Sequence, residues 1–276
     1  MEDKIYLKPI IRFGLNPSAT PEQISQRLSW LNSTINLCSL PRLPRPDQNY
    51  LNTYTQKIIS VPERDYSTVR DSLQDEEHRW SLETRPNEYA SGGDSWAFIQ
   101  RKYRHPGYIL WILDGDLQHF HRNGCLVGID HEYDLDNPFC VRAAIGHIMQ
   151  IAEAHPNLLA WTIKKYDTRS GARQGSYPAF PECGTGFVQP QGCMFLRYEA
   201  NAKFPKGWNY LEDTYALMSV ARQHNGAQSI GHISPVTVTF HNSQNSGREW
   251  EQRRKQLSKA FPEYKSWIPV KRETID

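Results

Sequence analysis

At 276 residues the chain is long enough for one large α/β domain, or two small ones, with an ample core. Its 38% hydrophobic and 22% charged residues are ordinary for a soluble enzyme, and a net charge of +2 argues neither for nor against a nucleic-acid partner. No apolar stretch reaches membrane-spanning length, and five scattered cysteines without a C-x-x-C exclude a disulfide frame or a zinc site, which points to reduced thiols in a cytoplasmic protein.

The chain opens on Met1-Glu2-Asp3-Lys4 with no signal-peptide core behind it. Ile5 to Phe13 reads as a first strand ending near Arg12. Thr20, Pro21 and Gln23 then supply an N-cap, a proline at N1 and a capping glutamine. They start a helix to about Leu37 whose buried stripe is Ile24, Leu28, Leu31 and Ile35. Lys57 to Val61 is a second strand, with Glu63 at its carboxyl end. Glu76 to Asp94 reads as polar and irregular, and a helix follows from Ser95 to Arg104.

The stretch Tyr108-Ile109-Leu110-Trp111-Ile112-Leu113 is a buried strand that stops at Asp114-Gly115-Asp116. Two carboxylates at the mouth of a buried strand repel each other and lose hydration, which is costly unless a cation joins them. Hard oxygen donors suit Mg²⁺ or Mn²⁺ and, through the ion, a phosphate. Asp-Gly is also a hairpin signal, and a simple turn is the bland alternative. His119 and His121 follow at spacing that suits a solvated helix face as well as a ligand pair.

Asn137 to Ala154 reads as a helix and Leu158 to Lys164 as a strand. Lys165 to Phe187 reads as a long basic loop carrying Arg169 and Arg173. Gly192 to Leu196 is a strand, and Glu212-Asp213 opens a helix to Gln223, an end where acids are favoured by the helix dipole alone. Val236 to Phe240 is a strand ending on His241. A charged helix, Trp250 to Ala260, and an extended tail complete the chain; from Arg248 onward there are eight basic and five acidic residues. Alternating strands and helices in the first half predict a mostly parallel sheet, with ligands at its carboxyl edge. There is no internal repeat.

The Asp114-x-Asp116 strand, the Glu212-Asp213 pair and the late His241, in that order after an α/β half, resemble the nucleotide-sugar glycosyltransferases of the type-A (GT-A) fold. More narrowly, Gln100-Arg101-Lys102-Tyr103 through Phe120 is similar to the TET/JBP-associated glycosyltransferases of phage type. The resemblance implies a single GT-A-like domain over residues 1–245, with a C-terminal helix and tail, 246–276, packed on it. It implies a nucleoside diphosphate sugar as donor, a UDP-sugar above all, and Mn²⁺ or Mg²⁺ held by Asp116, Asp114 and His241. Arg12 would meet phosphate, and Glu63, Asp94 or Asp114 the base or ribose. Asp213, or alternatively Glu212, would be the general base. Arg169 and Arg173 would grip a DNA acceptor, with Trp161 and Tyr177 as possible stacking partners; in phage-type DNA the acceptor is a hydroxymethylated pyrimidine, modified in the host cytoplasm. Transfer to a polysaccharide or protein, and a non-catalytic nucleic-acid binder, are the competing readings.

Overall fold

A computed structural model describes residues 6–38, 56–73, 80–122, 152–165, 182–187, 190, 192–240 and 247–268. The elements run β1 (Tyr6–Arg12), α1 (Pro21–Cys38), β2 (Lys57–Pro62), α2 (Tyr66–Ser72), β3 (Trp80–Arg85), α3 (Gly92–Tyr103), β4 (Tyr108–Asp114), β5 (Leu117–Arg122), β6 (Ala160–Lys165), β7 (Glu182–Thr185), β8 (Cys193–Arg197), α4 (Glu212–Gln223), β9 (Ile230–Phe240) and α5 (Gly247–Ala260). The strands form one sheet in the order β3-β2-β1-β4-β8-β6-β9-β5, with β7 on β9. Strands β1 to β4, β6 and β9 run one way; β5, β7 and β8 run the other. The chain is a single α/β domain with a mostly parallel sheet between helices.

Side-chain alternation in β4 explains the two layers. Ile109, Trp111 and Leu113 join Leu7, Ile11 and Phe13 under α1 and α2, while Leu110 and Ile112 join Ile10 under α3 and α4. In the first layer Trp111, Phe195 and Trp161 lie directly opposite one another on β4, β8 and β6. Their rings stack with centroids 5.6 and 5.5 Å apart, an aromatic ladder that fixes the register of the central strands. Helix α1 starts on the expected capping box: the Thr20 N–H donates to Gln23 at 3.0 Å, and the Gln23 N–H donates to the Thr20 hydroxyl at 3.4 Å.

Three strands depart from the sequence reading. β3 lies inside the stretch read as irregular; it is an edge strand with mostly half-exposed positions, so no apolar run marks it. β5 holds His119 and His121 in extended backbone rather than at helical spacing, paired with β9. β7 falls within the expected basic loop, where its four residues are too few for a periodic signal. The expected helix 137–154 lies outside the described residues except for 152–154, which are helical. Beyond α5 the tail forms a 3₁₀ turn over Pro262–Trp267 where an extended segment was expected. Leu257, Phe261 and Ile268 pack on Trp208, Leu211 and Met218, seating the C-terminal segment against α4 and the loop before it. No helix among the described residues is long and apolar enough to cross a membrane.

Candidate active site

The sheet order reverses between β1 and β4: the chain leaves β1 toward β2 and β3 on one side and returns to β4 on the other. In an open α/β sheet the crevice beyond the carboxyl ends at that point is where a ligand fits. Parallel register sets Arg12 directly beside Asp114 there. Both are the last residues of their strands and follow Ile10 and Ile112 onto the α3/α4 face. Arg12 donates through Nε to Asp114 Oδ1 at 2.6 Å, its Nη2 lies 2.6 Å from the same oxygen, and Nη1 is 3.6 Å from Glu212 Oε1. Burial draws the guanidinium pKa down, but Asp114 and Glu212 outweigh it and leave the group firmly charged.

Asp116, one turn beyond, reaches the other face of the sheet. Its Oδ2 accepts from Arg27 of α1 at 3.1 Å, and its side chain is 12% exposed. Burial and the neighbouring Asp114 charge push its pKa up to about 6 against the pull of Arg27. The Asp-x-Asp pair thus straddles the end of β4, each acid with its own arginine.

Helix α4 brings the second acidic pair. Leu211 before it has φ 61°, an uncommon left-handed backbone for a branched residue, held by burial among Trp208, Met218 and Phe261. That bend points Glu212 down onto Arg12 and leaves Asp213 half-buried at the rim. Glu212 is driven up to about 8 by burial, against Arg12 and with help from Asp213 and Asp114. Asp213 accepts from the Gly192 N–H at 3.3 Å and the Thr214 N–H at 2.7 Å, and burial pushes it up to about 6.

Gly92 and Gly192 pack directly on the charged cluster. A Cβ on Gly92, the first residue of α3, would lie inside contact distance of Glu212 Oε1 and 2.9 Å from Arg12 Nη1. Gly192 has φ +62°, and a Cβ there would lie 2.8 Å from Asp114 Oδ2, while its carbonyl accepts from the Asp114 N–H at 2.8 Å.

The structure therefore brings Arg12, Asp114, Asp116, Glu212 and Asp213 together. Asp94 stands at the α3 start, where its Oδ2 accepts from Ser91 at 2.6 Å and from the Gly207 N–H at 3.0 Å, tying down the 205–211 loop. Glu63 is exposed at the carboxyl end of β2. Trp161 is a core residue. His241, Arg169, Arg173 and Tyr177 lie outside the described residues.

Three contributors escape a reading of the sequence. Arg27 is a lone charge on the Ile24–Leu31 stripe, and that misplaced charge was the available signal. Arg85, 2% exposed at the end of β3, donates to the carbonyls of Ser60, Phe13 at 2.8 Å and Tyr89 at 3.0 Å, gathering the ends of β1 and β2; burial, then Arg12, pull its pKa down to about 9. Asn209 caps α3 by accepting from the Gly92 N–H at 3.0 Å, a long-range contact with no local signature.

Asp114, Asp116, Glu212 and Asp213 against Arg12 and Arg27 leave an excess of two negative charges when all are ionised. Burial first, and the neighbouring carboxylates after it, raise Asp116, Glu212 and Asp213, and a divalent cation would offset that cost. Hard carboxylate oxygens are suitable donors for Mg²⁺ or Mn²⁺, so the donor chemistry fits such an ion, while Asp114 and Asp116 are each paired with an arginine. Among the described residues there is no group of three or more His, Cys, Asp or Glu side chains set to hold a metal, and the expected third ligand, His241, lies outside them.

No protein-family model matches the chain, and no curated protein matches it. Among solved structures it is similar to 4-diphosphocytidyl-2C-methyl-D-erythritol synthase from Anaerococcus prevotii DSM 20548, at 7% identity and a TM-score of 0.42 over 94% of this chain and 96% of that one. Similarity that slight carries no information about chemistry.

Proposed function

We propose that the chain is a divalent-cation-dependent glycosyltransferase, moving a sugar from a nucleoside diphosphate sugar, a UDP-sugar above all, to an acceptor hydroxyl. The observation that carries this reading is the convergence of four acids and two arginines at the switch point between β1 and β4. Clustered carboxylates repel a diphosphate by themselves and serve one only through a divalent cation that they hold, which is the arrangement a leaving diphosphate needs.

Asp116 and Asp114 would hold Mn²⁺ or Mg²⁺, which when bound would supply Lewis-acid stabilisation of the leaving diphosphate. Arg12, kept charged and fixed by Asp114 and Glu212, presents a guanidinium to phosphate at the same edge. Asp213, half-buried and raised toward neutral pH, takes the acceptor's proton if configuration inverts. Glu212, beneath Arg12 and against Gly92, is a positioning residue in this account. Glu63 and Asp94 stand at the neighbouring strand and helix ends, where base and ribose would lie. His241 as a third ligand, and Arg169 and Arg173 on the acceptor, belong to the same proposal. The acceptor is 5-hydroxymethylpyrimidine in DNA, which rests on the narrower sequence resemblance.

The test offers Mn²⁺ and a panel of sugar nucleotides with hydroxymethylated and unmodified duplex DNA. Wild type should release nucleoside diphosphate and add one sugar mass to the modified strand, and Asp114→Ala should lose both. Transfer to a glycan with none to DNA removes the DNA acceptor; equal inactivity of wild type and variant with every donor removes the enzyme.

A further inference from the structure

The two arginines of the site are held in different ways. Arg12 is pinned by two nitrogens on Asp114 and a third toward Glu212, and its side chain is 19% exposed. Arg27 makes a single 3.1 Å contact to Asp116 with its side chain 30% exposed. Its guanidinium also lies over the rings of Phe13 and Trp30, with Cζ 5.6 and 5.4 Å from their centroids. Those rings support the cation whether or not it touches Asp116. The helix behind it does not move freely: seven residues on, Thr34 is buried and donates to the Leu117 carbonyl at 3.1 Å, between Leu31 and Ile35 in the core. Arg27 is therefore a partly exposed charge with one polar contact, on a fixed base, at the edge where Asp116 faces α1.

We infer that Arg27 is the resting counter-ion of Asp116, which the divalent cation displaces and which then turns onto the donor's diphosphate. The inference rests on the divalent-cation reading proposed above. Arg27 offers Asp116 one contact and one charge, whereas a divalent ion offers twice the charge to an acid buried beside Asp114 and so binds it more strongly. Once released, the guanidinium stays within a side chain's reach of whatever anion the ion carries, and its planar fork suits phosphate oxygens. Arg27 thus opposes cation binding by the empty protein and favours nucleotide binding once the cation is in place. The two effects have opposite signs, which a merely structural role would not produce.

Titration calorimetry of wild type, Arg27→Gln and Arg27→Lys separates these cases, first with Mn²⁺ alone and then with UDP at saturating Mn²⁺. Arg27→Gln should bind Mn²⁺ alone about three- to tenfold more tightly and UDP about three- to tenfold more weakly. Arg27→Lys, which keeps the charge, should return Mn²⁺ affinity toward wild type. If Arg27→Gln weakens both or moves neither, while wild type binds Mn²⁺ with UDP, the inference is overturned and the divalent-cation reading stands. If wild type takes no Mn²⁺ with or without UDP, that reading fails and the inference falls with it.

Discussion

Glu212 is the residue on which the electrostatics of the site turn. Its carboxyl is raised by burial from an ordinary value of about 4 to about 8, so the folded state holds its proton more tightly than the unfolded chain. The stability this contributes is complete below about pH 4 and is lost as pH rises through the folded value. The cation-free protein should therefore lose Tm between pH 5 and 8.5, and Glu212→Gln, uncharged throughout, should lose less. Parallel Tm curves for the two proteins would show that Glu212 is not the strained acid. Gly92→Ala tests the same contact sterically. The new methyl meets Glu212 and Arg12, which are held by each other and by Asp114, so stability should fall by about 1–3 kcal/mol while turnover drops sharply. Equal activity in Gly92→Ala and wild type would contradict the tight packing of that pair. Asp114, Asp116 and the Glu212-Asp213 pair were visible in the sequence because acids that end an apolar run or open a helix stand out locally. Arg27, Arg85 and Asn209 act across the fold, on partners far along the chain, and only Arg27 left a trace as a charge on an apolar stripe.

Among the elements, β1, β2 and β4 were legible for the reason that they are stable: each is a short β-branched run buried on both faces. β3, β5 and β7 were not, since edge and short strands need only partners, not apolar runs. The central ladder makes a direct demand on β8. Phe195→Ala should cost about 3–5 kcal/mol, read as a lowered urea midpoint, because the ring lies between Trp111 and Trp161 with no exposed face. A loss below about 1 kcal/mol would mean that the stack closes over the gap. The C-terminal helix α5 reads in the sequence only as a charged helix, yet Arg253 turns inward, donates to the Gly207 carbonyl at 3.2 Å and lies over the Trp208 ring at 5.2 Å. It thereby braces the loop that carries Asn209, Leu211 and the acidic pair. Arg253→Ala should lower kcat between about ten- and a hundredfold with donor affinity kept; weaker donor binding with unchanged kcat would place Arg253 in ligand contact instead.

For the whole molecule, the α/β architecture followed from the order of strands and helices, while the reversal at β8 and the far side of the sheet did not, because pairing across long connections leaves no local pattern. The function depends on what the two halves bring to one edge: Arg12 and the Asp-x-Asp pair from the first, Glu212 and Asp213 from the second. A ligand that binds this edge only when both halves are folded must stabilise the domain. Mn²⁺ and UDP together at about a hundred times their Kd should add about 2.7 kcal/mol, or roughly 5–10 °C in Tm for a domain this large, and Asp116→Ala should abolish the gain. The most direct measurement is anomalous diffraction from crystals grown with Mn²⁺ and UDP. A manganese peak within coordination distance of Asp116 at the β4 end, with the diphosphate between it and Arg12, is the predicted result; a map with nucleotide or metal bound elsewhere, and Asp116 still on Arg27, would contradict it.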